Sequence, residues 1–190
     1  MLRLDQGFPA PAGRDTSGGS MDLKEALTVA IDYEHRVRDH YARGAEALFD
    51  PRGKKVFETL AREEQGHVNY LESRLGEWQA RGHVDSPELP TILPSVDWVQ
   101  QARTRIAGTP AAAVANQGEL DLLKQALELE RTTSAFYRSL VDTLPAAHKE
   151  LFERFLAIEE GHVLIVQAEI DALAGHGFWF DFQEFSLEAG

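Results

Sequence analysis

Six polar residues stand where a helical core would want apolar ones. Glu34 lies between Ala30 and Val37, and Glu130 lies between Leu127 and Tyr137. Glu64 and His67 lie between Leu60 and Leu71, and Glu159 and His162 lie between Phe155 and Val166. Burying an ionised carboxylate costs several kcal/mol or more unless it is paired or bound to a cation. Four carboxylates at the middle of four helices would also repel one another. One or two dications remove both objections. In Glu-x-x-His the two residues project from one helix face about a turn apart, so a carboxylate oxygen and an imidazole nitrogen can meet the same ion. Two such pairs and two single Glu residues supply four carboxylates and two imidazoles. Hard oxygen donors with imidazole suit iron or manganese, and no thiolate competes, because the chain has no Cys.

The set repeats. AIDYEHRVRDHY, Ala30 to Tyr41, aligns with ALELERTTSAFY, Ala126 to Tyr137, and FETLAREEQGHV, Phe57 to Val68, aligns with FERFLAIEEGHV, Phe152 to Val163. This is a duplicated helical hairpin. Tyr41 and Tyr137 fall two turns beyond Glu34 and Glu130 on the same face, which brings each phenol toward the carboxylates for a hydrogen bond to a ligating Glu. Gly66 and Gly161 recur inside the Glu-x-x-His turns, and their repetition points to a need for space there. Glu63 and Glu160 do not repeat at one register and read as rim carboxylates in contact with solvent. His35, His40, His83, His148 and His176 have no matched partner and read as surface or structural.

The elements that must position these residues follow from periodicity. Leu23, Leu27, Ala30, Glu34, Val37, Tyr41 and Leu48 trace the inner face of a first helix, which Asp50-Pro51-Arg52-Gly53 ends. A second helix is expected from about Lys54 to Arg81, with Phe57, Leu60, Leu71 and Trp78 on its inner stripe. Residues 82–118 hold Pro87, Pro90, Pro94 and Pro110 and read as a long crossover, with a short helix from an N-cap at Ser95 through Ile106. A third helix starts near Glu119 and carries Leu123, Leu127 and Leu144. A fourth runs from about Ala147 to Ala174, with Phe152, Phe155, Val166 and Leu173 inward, and Gly175 reads as its stop. Two short turns and one long crossover imply an all-α antiparallel four-helix bundle over residues 21–175. A Glu on each of two helices with Glu-x-x-His on the other two is the di-iron or di-manganese pattern of ferritin-like bundles. Met1 to Ser20 reads as a disordered tail, with Met21 an alternative start. Residues 176–190 form an aromatic tail with Phe178, Trp179, Phe180, Phe182 and Phe185, expected to cap the bundle or to dock on a second subunit.

Composition narrows the partners. Of 190 residues, 19 are Lys or Arg and 31 are Asp or Glu, a formal net charge of -12. Such acidity disfavours nucleic acid and anionic membranes. No apolar run is long enough to span a bilayer, and the N-terminus lacks the pattern of a signal peptide, so a cytoplasmic location is expected.

AIDYEHRVRDHY, LAREEQGHV, ALELERTTSAFY and FLAIEEGHV resemble the rubrerythrin family of ferritin-like proteins. The resemblance implies two iron ions per bundle, with manganese or a mixed pair as alternatives, held by Glu34, Glu64, His67, Glu130, Glu159 and His162. It implies that Glu64 and Glu159 bridge the metals, that Glu34 and Glu130 bind terminally, and that Tyr41 and Tyr137 support them from behind. The implied activity is peroxide reduction or ferrous iron oxidation with peroxide or dioxygen. Two departures stand out. Without Cys there is no rubredoxin domain, so an external donor such as a rubredoxin or a flavoprotein must deliver electrons. Thr133 stands where rubrerythrins carry a further Glu, which weakens the case for efficient peroxide reduction. Bacterioferritin-like iron storage and a non-catalytic helical scaffold are the alternatives, and a homodimer, with helices exchanged through the crossover, is the expected assembly.

Overall fold

In a computed structural model the described residues are 21–91, 99–101, 104, 116–176 and 179; their regular structure is helical throughout, with no strand among them. Four long helices carry the structure: α1 (Leu23–Ala47), α2 (Pro51–Arg81), α3 (Gln117–Thr143) and α4 (Ala146–His176). Residues 99–101 and 104 are also helical. The expected N-cap at Ser95, the end at Ile106, the tail 1–20, and Phe178, Phe180, Phe182 and Phe185 lie outside the described residues.

Local chemistry sets the helix ends. Asp22 caps α1 by accepting from the Glu25 amide at 2.8 Å, while the Glu25 carboxylate accepts from the Asp22 amide at 3.3 Å. Asp50 accepts from the Arg52 amide at 2.8 Å, and Pro51 occupies the first helical position of α2, three residues before the expected start. Proline is at home there, because its missing N–H has no helical partner to lose. Gly82 ends α2 with φ 71°, a left-handed backbone that glycine adopts without a Cβ clash. Asn116 caps α3, which therefore begins two residues before Glu119. The fourth helix runs through Gly175 to His176, so the expected stop at Gly175 is corrected. Glycine ends a helix only where the chain takes a left-handed turn, and Gly175 does not have a positive φ.

Linkers 48–50 and 144–145 force α1 against α2 and α3 against α4, and α1 also packs on α3. The core falls into two apolar compartments. One joins the C-terminal half of α1, the N-terminal halves of α2 and α3 and the C-terminal half of α4, through Tyr41, Phe57, Leu60, Leu123, Val166 and Trp179. The other joins the opposite halves, through Leu27, Leu71, Phe136, Tyr137, Phe152 and Phe155. Hence α2 ends at one end of the molecule and α3 begins at the other. The crossover therefore joins helix ends separated by about the length of α2, whose 31 residues span about 46 Å at 1.5 Å per residue. Its first part is tied down on the way. Tyr70 Oη donates to the Pro87 carbonyl at 2.8 Å, Arg154 Nη1 donates to the Ser86 and Pro87 carbonyls at 2.8 and 2.9 Å, and Leu89 is buried. No helix among the described residues is long and apolar enough to cross a membrane.

Candidate metal centre

The six sequence-derived residues meet between the two apolar compartments. Glu34, Glu64, Glu130, Glu159 and His162 have no exposed surface, and His67 has 1 %. His67 Nδ1 lies 3.2 Å from Glu34 Oε2, 3.0 Å from Glu64 Oε2 and 3.5 Å from Glu159 Oε1. His162 Nδ1 lies 2.8 Å from Glu64 Oε1, 3.6 Å from Glu130 Oε2 and 3.7 Å from Glu159 Oε1. Two groups of donor atoms result, Glu34–Glu64–His67–Glu159 and Glu64–Glu130–His162, each within 4.8 Å and both containing Glu64. The two imidazoles stack with centroids 5.4 Å apart and planes 6° from parallel.

Each tyrosine serves the other hairpin. Tyr41 Oη of α1 donates to Glu130 Oε1 of α3 at 2.5 Å, and Tyr137 Oη of α3 donates to Glu34 Oε1 of α1. A residue two turns away on the same helix is about 10 Å along the axis, whereas a facing helix can present its carboxylate directly under the phenol.

Many donor atoms of the cluster are left over. Glu64 Oε1, Glu130 Oε2, both oxygens of Glu159, His67 Nε2 and both nitrogens of His162 are buried without a hydrogen bond. The 2.8 Å approach of His162 Nδ1 to Glu64 Oε1 is a contact at an angle unsuited to hydrogen bonding. Buried polar atoms are rarely left so. Close oxygens and nitrogens that converge without bonding one another are what a cation needs, and this donor set fits a hard or borderline divalent ion.

The electrostatics agree. Burial pulls the His67 imidazole down, but Glu64 and Glu34 outweigh it and raise it to about 10. Burial pulls His162 down as well, and Glu64, Glu159 and Glu130 carry it well above its ordinary value. Burial raises the Glu34 carboxyl to about 7 against the lowering contact of His67. Burial and the neighbouring Glu34 hold Glu159 well above the carboxylate range. Burial also raises Glu64, but His162 and His67 win and leave it below the usual range.

Several expectations are corrected. Glu63 is not a solvated rim residue: it is 5 % exposed, accepts a hydrogen bond from Thr91 Oγ1, and has Oε1 4.0 Å from His67 Nε2. It precedes Glu64 and follows the helix inward. The signal in sequence was its place four residues before His67, masked because Ile158 occupies the matching position. Glu160 is exposed and pairs with Arg138 at 2.6 Å, as expected of a rim carboxylate. Gly66 and Gly161 meet no crowding, since a Cβ on either would find nothing within 4 Å. The crowded glycines are Gly44, where a Cβ would come within 2.4 Å of Phe57, and Gly53, where it would come within 2.3 Å of Trp179. His40 is buried and contacts the Leu122 carbonyl at 3.0 Å, a structural role. Thr133 is buried and its hydroxyl donates back to the Leu129 carbonyl at 3.0 Å.

Fold and site together define an all-helical protein with a buried carboxylate–imidazole cluster able to hold metal. Comparison of the chain with protein-family models, curated proteins and solved structures finds no match.

Proposed function

We propose that the chain is a ferritin-like four-helix bundle of the rubrerythrin type that holds two iron ions and either reduces peroxide with electrons from an external donor or oxidises ferrous iron with peroxide or dioxygen as the acceptor. The observation that carries this is the set of buried, hydrogen-bond-free oxygens and nitrogens in two groups that share Glu64. Glu34, Glu64, His67 and Glu159 would hold one ion, and Glu64, Glu130 and His162 the other. When bound, a pair of redox-active ions supplies two one-electron changes, matching the two electrons of peroxide reduction. The chain does the rest. Tyr41 and Tyr137 engage one oxygen each of Glu130 and Glu34 and leave the second oxygen facing the cluster. The two apolar compartments exclude bulk water on either side, which strengthens every charge interaction between them. Thr133, bonded to its own helix, offers no further carboxylate, which favours ferrous iron oxidation over peroxide reduction. The scaffold reading drew on the aromatic tail, and Trp179 of that tail is spent inside this chain.

The test is an anaerobic titration with Fe(II), then addition of peroxide or dioxygen. Two ions per chain and an optical change on oxidation are expected. A stoichiometry well below two, or no optical change, overturns the proposal. Size-exclusion chromatography separates a small oligomer from the closed shell that storage requires.

A further inference from the structure

The stacked imidazoles have an outer side as well as an inner one. Their Nδ1 atoms approach the four central carboxylates, while both Nε2 atoms are buried without a hydrogen bond. Glu63 Oε1 is 4.0 Å from His67 Nε2, and one donor atom each of Glu63, His67 and His162 fit within 4.8 Å. A carboxylate is costly to bury, yet Glu63 is 5 % exposed, and Thr91 Oγ1 on the crossover donates to its Oε1. The hairpin repeat does not account for it, because Ile158 stands at its counterpart.

An imidazole that gives one nitrogen to a metal carries its hydrogen on the other, and that N–H needs an acceptor. Here two such N–H groups would sit side by side, and among the described residues Glu63 is the carboxylate grouped with both rings on that side. We propose that Glu63 is a positioning residue that accepts the Nε2–H of both His67 and His162 and so dictates that Nδ1 faces the cluster, with Thr91 setting its carboxylate from the crossover. This rests on the reading of the cluster as a di-metal site. The 4.0 Å gap exceeds a direct hydrogen bond by about 1 Å, a distance that a small turn of the side chain or one bridging water covers. A third ion at Glu63, His67 and His162 is the rival. It would need each ring to bind metal through both nitrogens, which only an imidazolate anion can do.

The experiment follows the histidine ring N–H signals of the full chain by nitrogen-15 NMR, metal-free and with Zn(II) as a diamagnetic probe. Zn(II) affinity is measured alongside, for wild type, Glu63→Gln, Glu63→Ala and Thr91→Val. In wild type both rings should show slowly exchanging Nε2–H signals. Glu63→Ala should speed exchange at both rings and weaken Zn(II) binding about 10- to 100-fold. Glu63→Gln, which keeps one carbonyl acceptor, should restore part of both effects, and Thr91→Val, an exposed change that spares the fold, should move both in the same direction by less. Ring signals and affinity unchanged in all three variants overturn the inference. A third equivalent of Zn(II), lost in Glu63→Ala, also overturns it, since Glu63 would then be a ligand. If the chain binds no metal, the proposed function fails while the metal-free ring signals still decide the role of Glu63.

Discussion

The hairpin α1–α2 and the hairpin α3–α4 agree at the centre and differ at the ends. Glu34 and Glu130, Glu64 and Glu159, His67 and His162, and Tyr41 and Tyr137 are buried in both. At one end Gly53 makes room for Trp179, whose indole packs edge-on to Phe57 at 5.9 Å and donates to Glu119 Oε2 at 3.2 Å. At the other end the counterpart of Gly53 is His148, which meets Trp78 edge-on at 5.9 Å, and Trp78 is only half-buried. Even the centre is not symmetric. Glu64 gives one oxygen to each imidazole at 3.0 and 2.8 Å, whereas Glu159 stays 3.5 and 3.7 Å from them. Duplication supplied matched donors, and the surroundings then set them apart: His162 and His67 hold Glu64 below the usual carboxylate range, while burial and Glu34 hold Glu159 well above it.

That difference is open to a direct break. In the metal-free chain Glu64→Gln removes the shared counter-charge of two buried imidazoles and should cost about 3–5 kcal/mol in denaturant unfolding. Glu159→Gln replaces a protonated carboxyl by a neutral amide of similar shape and should cost under about 1 kcal/mol. Equal losses would erase the distinction between the two hairpins. The ends differ in the same way. Trp179→Ala should lower stability by about 3–5 kcal/mol, as for other fully buried aromatics, and Trp78→Ala by about half as much.

pH sharpens the comparison from another side. The folded His67 is raised from 6.5 to about 10, so its stabilising contribution is complete below pH 6.5 and lost as pH rises through about 10. Glu34, raised from 4.5 to about 7, acts in the same direction over a lower window, since the folded chain keeps a proton that the unfolded chain has released. The metal-free chain should therefore melt at a lower temperature near pH 9 than near pH 6. Metal binding needs those protons gone, so the loaded chain should show a flatter or inverted slope. The smallest effect expected is a gain. Gly66→Ala and Gly161→Ala, in open helical positions, should each add about 0.5–1 kcal/mol, while Gly53→Ala, against the Trp179 indole, should lose about 1–3 kcal/mol.

Which residues share the interior was legible in the chain alone. Six polar residues on apolar stripes, repeated between two halves, needed only helical periodicity and the cost of burying charge. The helix ends at Asp22, Asp50 and Asn116 likewise follow from side chains that cap their own turns. What spacing along one helix cannot tell is which neighbour a side chain meets across the gap, because that depends on the rotation and offset of the facing helix. So only the tertiary structure crossed Tyr41 to Glu130 and Tyr137 to Glu34. It alone brought Thr91 of the crossover to Glu63 and seated Trp179 on Gly53, far away in sequence. Gly66 and Gly161 show the converse: a repeat in sequence records shared descent, and only the surroundings show whether the space is used.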